Sequence, residues 1–168
     1  MNQRIFENIP ETLEESDAPW DDTVKQDFHV AVFRDRYPCT PGHMLFVPKY
    51  NTTGVLKDAF SDAFNYGQEK VESGEWDGFN IGLNYGQAAG QTVSWPHIHL
   101  IPRRKGDVPD PVGGVRHTIP GKGNYRKTLR LNNDAVDRLG WQPTDKLKSY
   151  IDEIKLRDRK STRLNSSH

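Results

Sequence analysis

Cysteine is almost missing from this chain. Cys39 stands alone, so no internal disulfide can form, and a reducing, cytoplasmic setting is the expectation. Long apolar runs are missing as well. No stretch nears the ~18 residues of a membrane span, and no signal-peptide core follows Met1, so no membrane partner is expected. Internal repeats and a linker to a second domain are absent, and 168 residues suit one domain with its own core. Net charge is absent too, because 23 Lys and Arg balance 23 Asp and Glu. The apolar share is only 34%, which points to a compact domain with much loop and surface.

The charge that is present is unevenly placed. Glu7, Glu11, Glu14, Glu15, Asp17, Asp21, Asp22 and Asp27 make the N-terminal segment acidic, with Lys25 its one base among them. Arg103, Arg104, Lys105, Arg116, Lys122, Arg126, Lys127 and Arg130 later face only Asp107 and Asp110. Such a basic stretch suits either a polyanionic ligand or plain solvent.

Taken in order, residues 1 to about 24 read as a polar lead-in whose Pro10 and Pro19 oppose a long helix. Asp27 to Arg34 alternates as a largely buried strand, and His43 to Val47 forms a second, closed by Pro48. The Pro/Gly-rich turn between them makes an antiparallel hairpin. Asn51, Thr52 or Thr53 caps a helix whose apolar stripe is Leu56, Phe60, Ala63, Phe64 and Val71, and Gly74 ends it. Phe79 to Leu83 is a third strand and His97 to Ile101 a fourth. Residues from about 105 to 157 form a loop-rich extension, helical in pieces between Asn132 and Ile154 and split at Pro143. Residues 158–168 resemble the translation of a sequencing-library adapter and are set aside, which leaves 1–157 as the single domain.

The stretch from Asn84 to Arg103 carries the chemistry. Side chains alternate along a strand, so His97 and His99 share one face while Ile98 and Leu100 point to the core. The two imidazoles are then expected side by side roughly 7 Å apart, from the rise of an extended chain. Upstream, Gly86, Gly90, Gln91 and Thr92 bring backbone and side-chain donors to where an anion would sit. Imidazoles beside such a cradle suit chemistry on phosphate. Zinc would need further ligands, for which His43 with His29 or His117 are the available imidazoles, and no spacing demands them.

Gly90-Gln-Thr-Val-Ser-Trp-Pro-His-Ile-His-Leu-Ile-Pro-Arg103 resembles the signature of the histidine triad (HIT) nucleotide hydrolases and transferases. Asp35-Arg-Tyr-Pro-Cys-Thr-Pro-Gly-His-Met-Leu-Phe-Val-Pro-Lys49 resembles the family's upstream block. The tract from Gly113 to Tyr125 resembles an extension of bacterial-type members. The resemblance implies an α+β fold: a five-stranded antiparallel sheet with one main helix and a C-terminal helix, paired into a homodimer. It implies a nucleotide substrate attacked at its α-phosphate through a nucleotidyl-histidine intermediate, most plausibly a dinucleoside polyphosphate releasing AMP. By motif position His97 is the nucleophile, His99 and His43 assist at the phosphate, and Asp35 binds the ribose. Asn84, Gly90, Gln91 and Thr92 match the phosphate cradle, and Phe33 is expected to help hold the base. No resident metal or organic cofactor is implied, magnesium would arrive with the polyphosphate, and no nucleic-acid partner is expected.

One position departs from the family's pattern. Trp95 stands where its first histidine belongs, and strand parity would set its indole beside His97 and against the ligand. An indole donates a hydrogen bond but carries no proton in transfer. A nucleotide-binding protein with little turnover is therefore an alternative, as is a nucleoside phosphoramidase or nucleotidyltransferase.

Overall fold

The structure is a computed structural model that describes residues 3–124, of which 3–123 belong to one compact unit. The C-terminal helical region expected between Asn132 and Ile154 lies outside the described residues.

Five strands form one antiparallel sheet. They are β1 (Thr23–Gln26), β2 (Val30–Arg34), β3 (Met44–Pro48), β4 (Gly78–Leu83) and β5 (Ile98–Arg103), in spatial order β1-β2-β3-β5-β4. The long connection from β3 to β4 carries helix α1 (Thr53–Glu72), so β5 slips between β3 and β4 and both histidine-bearing segments become neighbours. Leu45 of β3 pairs with His99 of β5.

Each face of the sheet buries its own cluster. On one, Val30, Val32, Met44, Phe46, Ile98 and Leu100 pack against Ala59 and Ala63 of α1 and against Trp76. The helix sits close because its inner residues are small. A methyl group on Gly67 would stand 2.9 Å from the Phe79 ring. The inner stripe is Val55, Ala59, Ala63 and Gly67, and Phe64, expected in it, is 51% exposed against the edge of Phe79. Thr52 is the N-cap, its hydroxyl accepting from Val55 N–H.

The other face carries Ala31, Phe33, Leu45, Val47 and Trp95. Lead-in residues Ile9, Leu13, Ala18 and Trp20 cover it. Asn51, 1% exposed, ties that strap down. Its Oδ1 accepts from Phe6 N–H at 3.1 Å, and its Nδ2 donates to the carbonyls of Phe6 (2.7 Å) and Pro10 (3.2 Å).

The strand expected from Asp27 to Arg34 begins only at Val30. Asp27 Oδ1 accepts the N–H groups of His29 (2.7 Å) and Val30 (2.8 Å), and this carboxylate turn separates β1 from β2. β1 straddles the end of the stretch read as lead-in, and its residues are all exposed. The other strands are displaced by one or two residues, with Pro48 ending β3 from within and β5 starting at Ile98.

Candidate active site

The turn after β2 sets the first two polar side chains. Gly42 takes φ 88°, a left-handed conformation that favours glycine, and an added Cβ would meet Pro102 at 3.3 Å. The chain then returns so that Asp35 N–H donates to the His43 carbonyl at 3.1 Å. One Asp35 oxygen accepts from Tyr37 N–H at 2.7 Å. The other lies 3.5 Å from His43 Nε2 and 3.9 Å from His99 Nδ1.

Hydrogen-bond partners assign the imidazole protons. His97 Nδ1 lies 2.8 Å from the Trp95 carbonyl oxygen. A carbonyl only accepts, so Nδ1 carries the hydrogen and Nε2 keeps a lone pair. Cys39 N–H donates to His43 Nδ1 at 3.4 Å, which leaves the hydrogen of His43 on Nε2. That group faces His99 Nδ1 at 3.0 Å and donates to it, so His99 carries its own hydrogen on Nε2. The result is a lone pair on His97 and an N–H donor on His99, with the two ring centroids 5.0 Å apart.

Burial keeps these rings uncharged. Loss of solvent lowers the pKa of His97 below its ordinary value, against opposing pulls from the Trp95 carbonyl and Asp35. His43 is lowered by the same desolvation, opposed by Asp35. His99 is pushed down to about 4 by desolvation first and then by its histidine neighbours. All three are neutral at pH 7, as a nucleophilic lone pair requires.

Among the expected residues the fold gathers Asp35, His43, His97 and His99. Trp95 is placed differently from the expectation. It is 2% exposed, its indole lies in the second core cluster, and its Nε1 donates to the Pro48 carbonyl at 2.8 Å. Residue 95 precedes β5, and the indole packs with Leu45 and Val47 instead of standing open beside the imidazoles. What Trp95 offers His97 is its main-chain oxygen. Phe33 is likewise 7% exposed within that cluster, its ring 6.0 Å from Trp20.

The expected cradle folds upon itself. Gln91 Oε1 accepts from Gly86 N–H at 2.8 Å, and its Nε2 donates to the carbonyls of Val93 and Ser94, both at 3.0 Å. Gly90 is left-handed at φ 84° and closes the short 3₁₀ turn Gln87–Ala89, and Asn84 leads into this loop half-buried. Gln91 and Thr92 line a hollow with Phe6 to Ile9, and none of the histidines lines it.

Trp20 lies outside every motif of the sequence. The indole stands 4.9 Å from the His97 ring and is half-buried. No local pattern marked it, because the strap that carries it is held by a side chain, Asn51, from another part of the chain. His29 pairs with Asp58 at 3.1 Å, away from the cluster. His117 Nε2 lies 3.0 Å from the Val112 carbonyl. His117 also lines a cavity of about 700 Å³ with Cys39, Asn80, Ile101 and Arg103. Arg103 there is clasped by both oxygens of Asp107, at 2.7 and 2.9 Å.

The description of the HIT domain matches residues 19–106, which span β1 to β5 and all four clustered residues. The chain belongs to the HIT family. An uncharacterised HIT-like protein of Methanocaldococcus jannaschii is 39% identical over 90 residues, covering 50% of this chain and 70% of that protein. Two named enzymes are also similar. The asymmetrical bis(5'-nucleosyl)-tetraphosphatase of Schizosaccharomyces pombe is 40% identical over 86 residues, 46% of each chain. The adenosine 5'-monophosphoramidase of Saccharomyces cerevisiae is 35% identical over 75 residues, 43% of this chain and 48% of that one. This HIT chain thus spans just under half the length of either enzyme. No helix among the described residues is long and apolar enough to cross a membrane.

Proposed function

We propose that this HIT protein hydrolyses a nucleotide phosphoanhydride, in a substrate of the dinucleoside polyphosphate type, through a nucleotide held covalently on His97. The observation that carries the reading is the 2.8 Å contact between His97 Nδ1 and the Trp95 carbonyl, which fixes a lone pair on Nε2. His97 Nε2 attacks the α-phosphorus, a P–N bond forms, and the bridging P–O bond breaks with its electrons leaving on the departing phosphate. The Trp95 carbonyl stabilises the positive ring so formed. His99 Nε2–H donates to a phosphate oxygen, fixed in that tautomer by His43. Water then attacks the phosphorus, releasing a nucleoside monophosphate and returning His97 to its neutral form. Trp20, half-buried beside His97, is the aromatic surface that receives the base, with Phe33 behind it. Asp35 has one carboxylate oxygen facing His43 and His99, and it reaches a ribose hydroxyl only by turning from them.

The test is release of AMP from a diadenosine polyphosphate. The unaltered protein is expected to turn over, and His97→Ala to lose at least about a hundredfold, the scale of losing a covalent step. Turnover that survives His97→Ala removes the nucleophile, and tight binding without release favours a binding protein. A phosphoramidate is the second substrate class to assay. The same lone pair attacks phosphorus whether oxygen or nitrogen departs, and the similar yeast enzyme is named for that reaction.

A further inference from the structure

Asp35, His43 and His99 bring one ligand atom each to within 4.8 Å of the others. We propose that these three side chains form a binding site for a zinc-type divalent cation, through Asp35 Oδ2, His43 Nε2 and His99 Nδ1. The case rests on the ligand atoms alone and holds whether or not the protein hydrolyses nucleotides.

The geometry is that of three corners of a tetrahedron. Zinc bonds of about 2.0–2.1 Å place neighbouring ligand atoms roughly 3.3 Å apart. The three separations here are 3.0 Å for His43 to His99, 3.5 Å for His43 to Asp35, and 3.9 Å for His99 to Asp35. Turning the Asp35 carboxylate closes the longest edge, because its other oxygen is held by Tyr37 N–H and serves as the pivot. An octahedral ion with bonds of about 2.1 Å would bring neighbours to roughly 3.0 Å, tighter than two of the three edges. Two imidazoles with one carboxylate are also a donor set that suits zinc better than magnesium or calcium, which take oxygen. The site is largely enclosed, with side-chain exposures of 6% for His43, 15% for Asp35 and 23% for His99.

Binding requires one proton to move. His43 Nε2, the donor to His99, must present a lone pair to the metal, so its hydrogen passes to Nδ1. There Cys39 Sγ lies 3.6 Å away and accepts it in the place of the carboxylate or carbonyl that usually supports a metal-bound imidazole, and the Cys39 N–H, which donates to Nδ1 in the metal-free form, gives up that bond. Metal and the His43–His99 hydrogen bond are therefore mutually exclusive. His97 stays outside the ligand set, its Nδ1 remaining on the Trp95 carbonyl.

The experiment is calorimetric titration of tag-free, chelator-treated protein with Zn²⁺, paired with Co²⁺ absorption spectroscopy. One Zn²⁺ per chain is expected, with the strong visible bands of four-coordinate Co²⁺. Asp35→Asn, His43→Asn and His99→Asn should each weaken Zn²⁺ at least tenfold and abolish those bands, with circular dichroism confirming that each variant is folded. His29→Ala and His97→Ala should keep the one-to-one site. Undiminished Zn²⁺ binding in folded His43→Asn and His99→Asn overturns the proposal. So does loss of binding in His29→Ala, or absence of any one-to-one binding to the unaltered protein. Because every readout is metal occupancy, failure here is distinct from failure to release AMP.

Discussion

At the scale of single residues, the imidazoles couple acidity to stability. In the unfolded chain a histidine takes up its proton near pH 6.5, whereas folded His99 does so only at about 4, and His43 and His97 are lowered in the same sense. Between those values the unfolded state binds more protons. Stability is therefore full above about pH 6.5 and lost as pH falls toward 4. Urea midpoints measured at pH 7 and at pH 4.5 should show that loss, and His99→Asn should flatten it. An unaltered slope in the variant would mean that other groups set the acid limb. Trp95 makes a different prediction. Its indole fills the core and donates to Pro48, so Trp95→Phe should cost about 1–3 kcal/mol of stability by leaving that carbonyl unpaired. The oxygen facing His97 remains in the variant, so AMP release by the folded protein should change less than threefold. A collapse of turnover with stability intact would refute this division of labour. The motif around His97 was legible because its residue types are distinctive. The orientation of Trp95 was not, since strand parity had been extended over residues that precede the strand.

At the scale of elements, apolar pattern located β3, β4 and β5 to within a residue or two, β3 as a continuous run buried at every position and β5 as a strand buried at every second residue. β1 has no such pattern. Thr23–Gln26 is wholly exposed and held by pairing to β2 and by the Lys25 ammonium over the Tyr66 ring, 5.2 Å from its centroid, neither of which a hydropathy pattern reveals. The helix was legible as a helix, yet its inner face was misjudged by one large residue. Apolar size drew Phe64 inward, whereas close approach to Phe79 selects alanine and glycine there. The N-terminal strap is the element whose role was hidden. Its attachment runs through Asn51, and Asn51→Ala removes three side-chain hydrogen bonds in a buried setting. A loss of about 2–4 kcal/mol is expected, read by thermal unfolding. Cleavage between residues 6 and 20 under limited proteolysis should also quicken. If the strap resists proteolysis as before, Asn51 is not its anchor.

At the scale of the whole molecule, the sheet of the described residues ends in two unlike strands. β1 is a short, exposed strand carrying Lys25, the kind of edge that discourages pairing. β4 is longer, half-buried along its whole length, and last in the sheet order. We propose that two copies join across β4, in keeping with the homodimer that the family resemblance implies. Sedimentation should report twice the 19.2 kDa chain mass at micromolar concentration. A single-chain species there would leave the β4 edge without this partner.

The oxygen that orients His97 belongs to the peptide link between Trp95 and Pro96. Every amino acid brings the same atom to that spot, so the set-up of the proposed nucleophile is indifferent to the identity of its neighbour. Side chains at 95 are thereby free to drift under the demands of packing, and a histidine there is dispensable for aiming the ring of residue 97. A lesion aimed at that support must alter the course of the main chain itself, for instance by swapping Pro96 for a residue that lets the link turn.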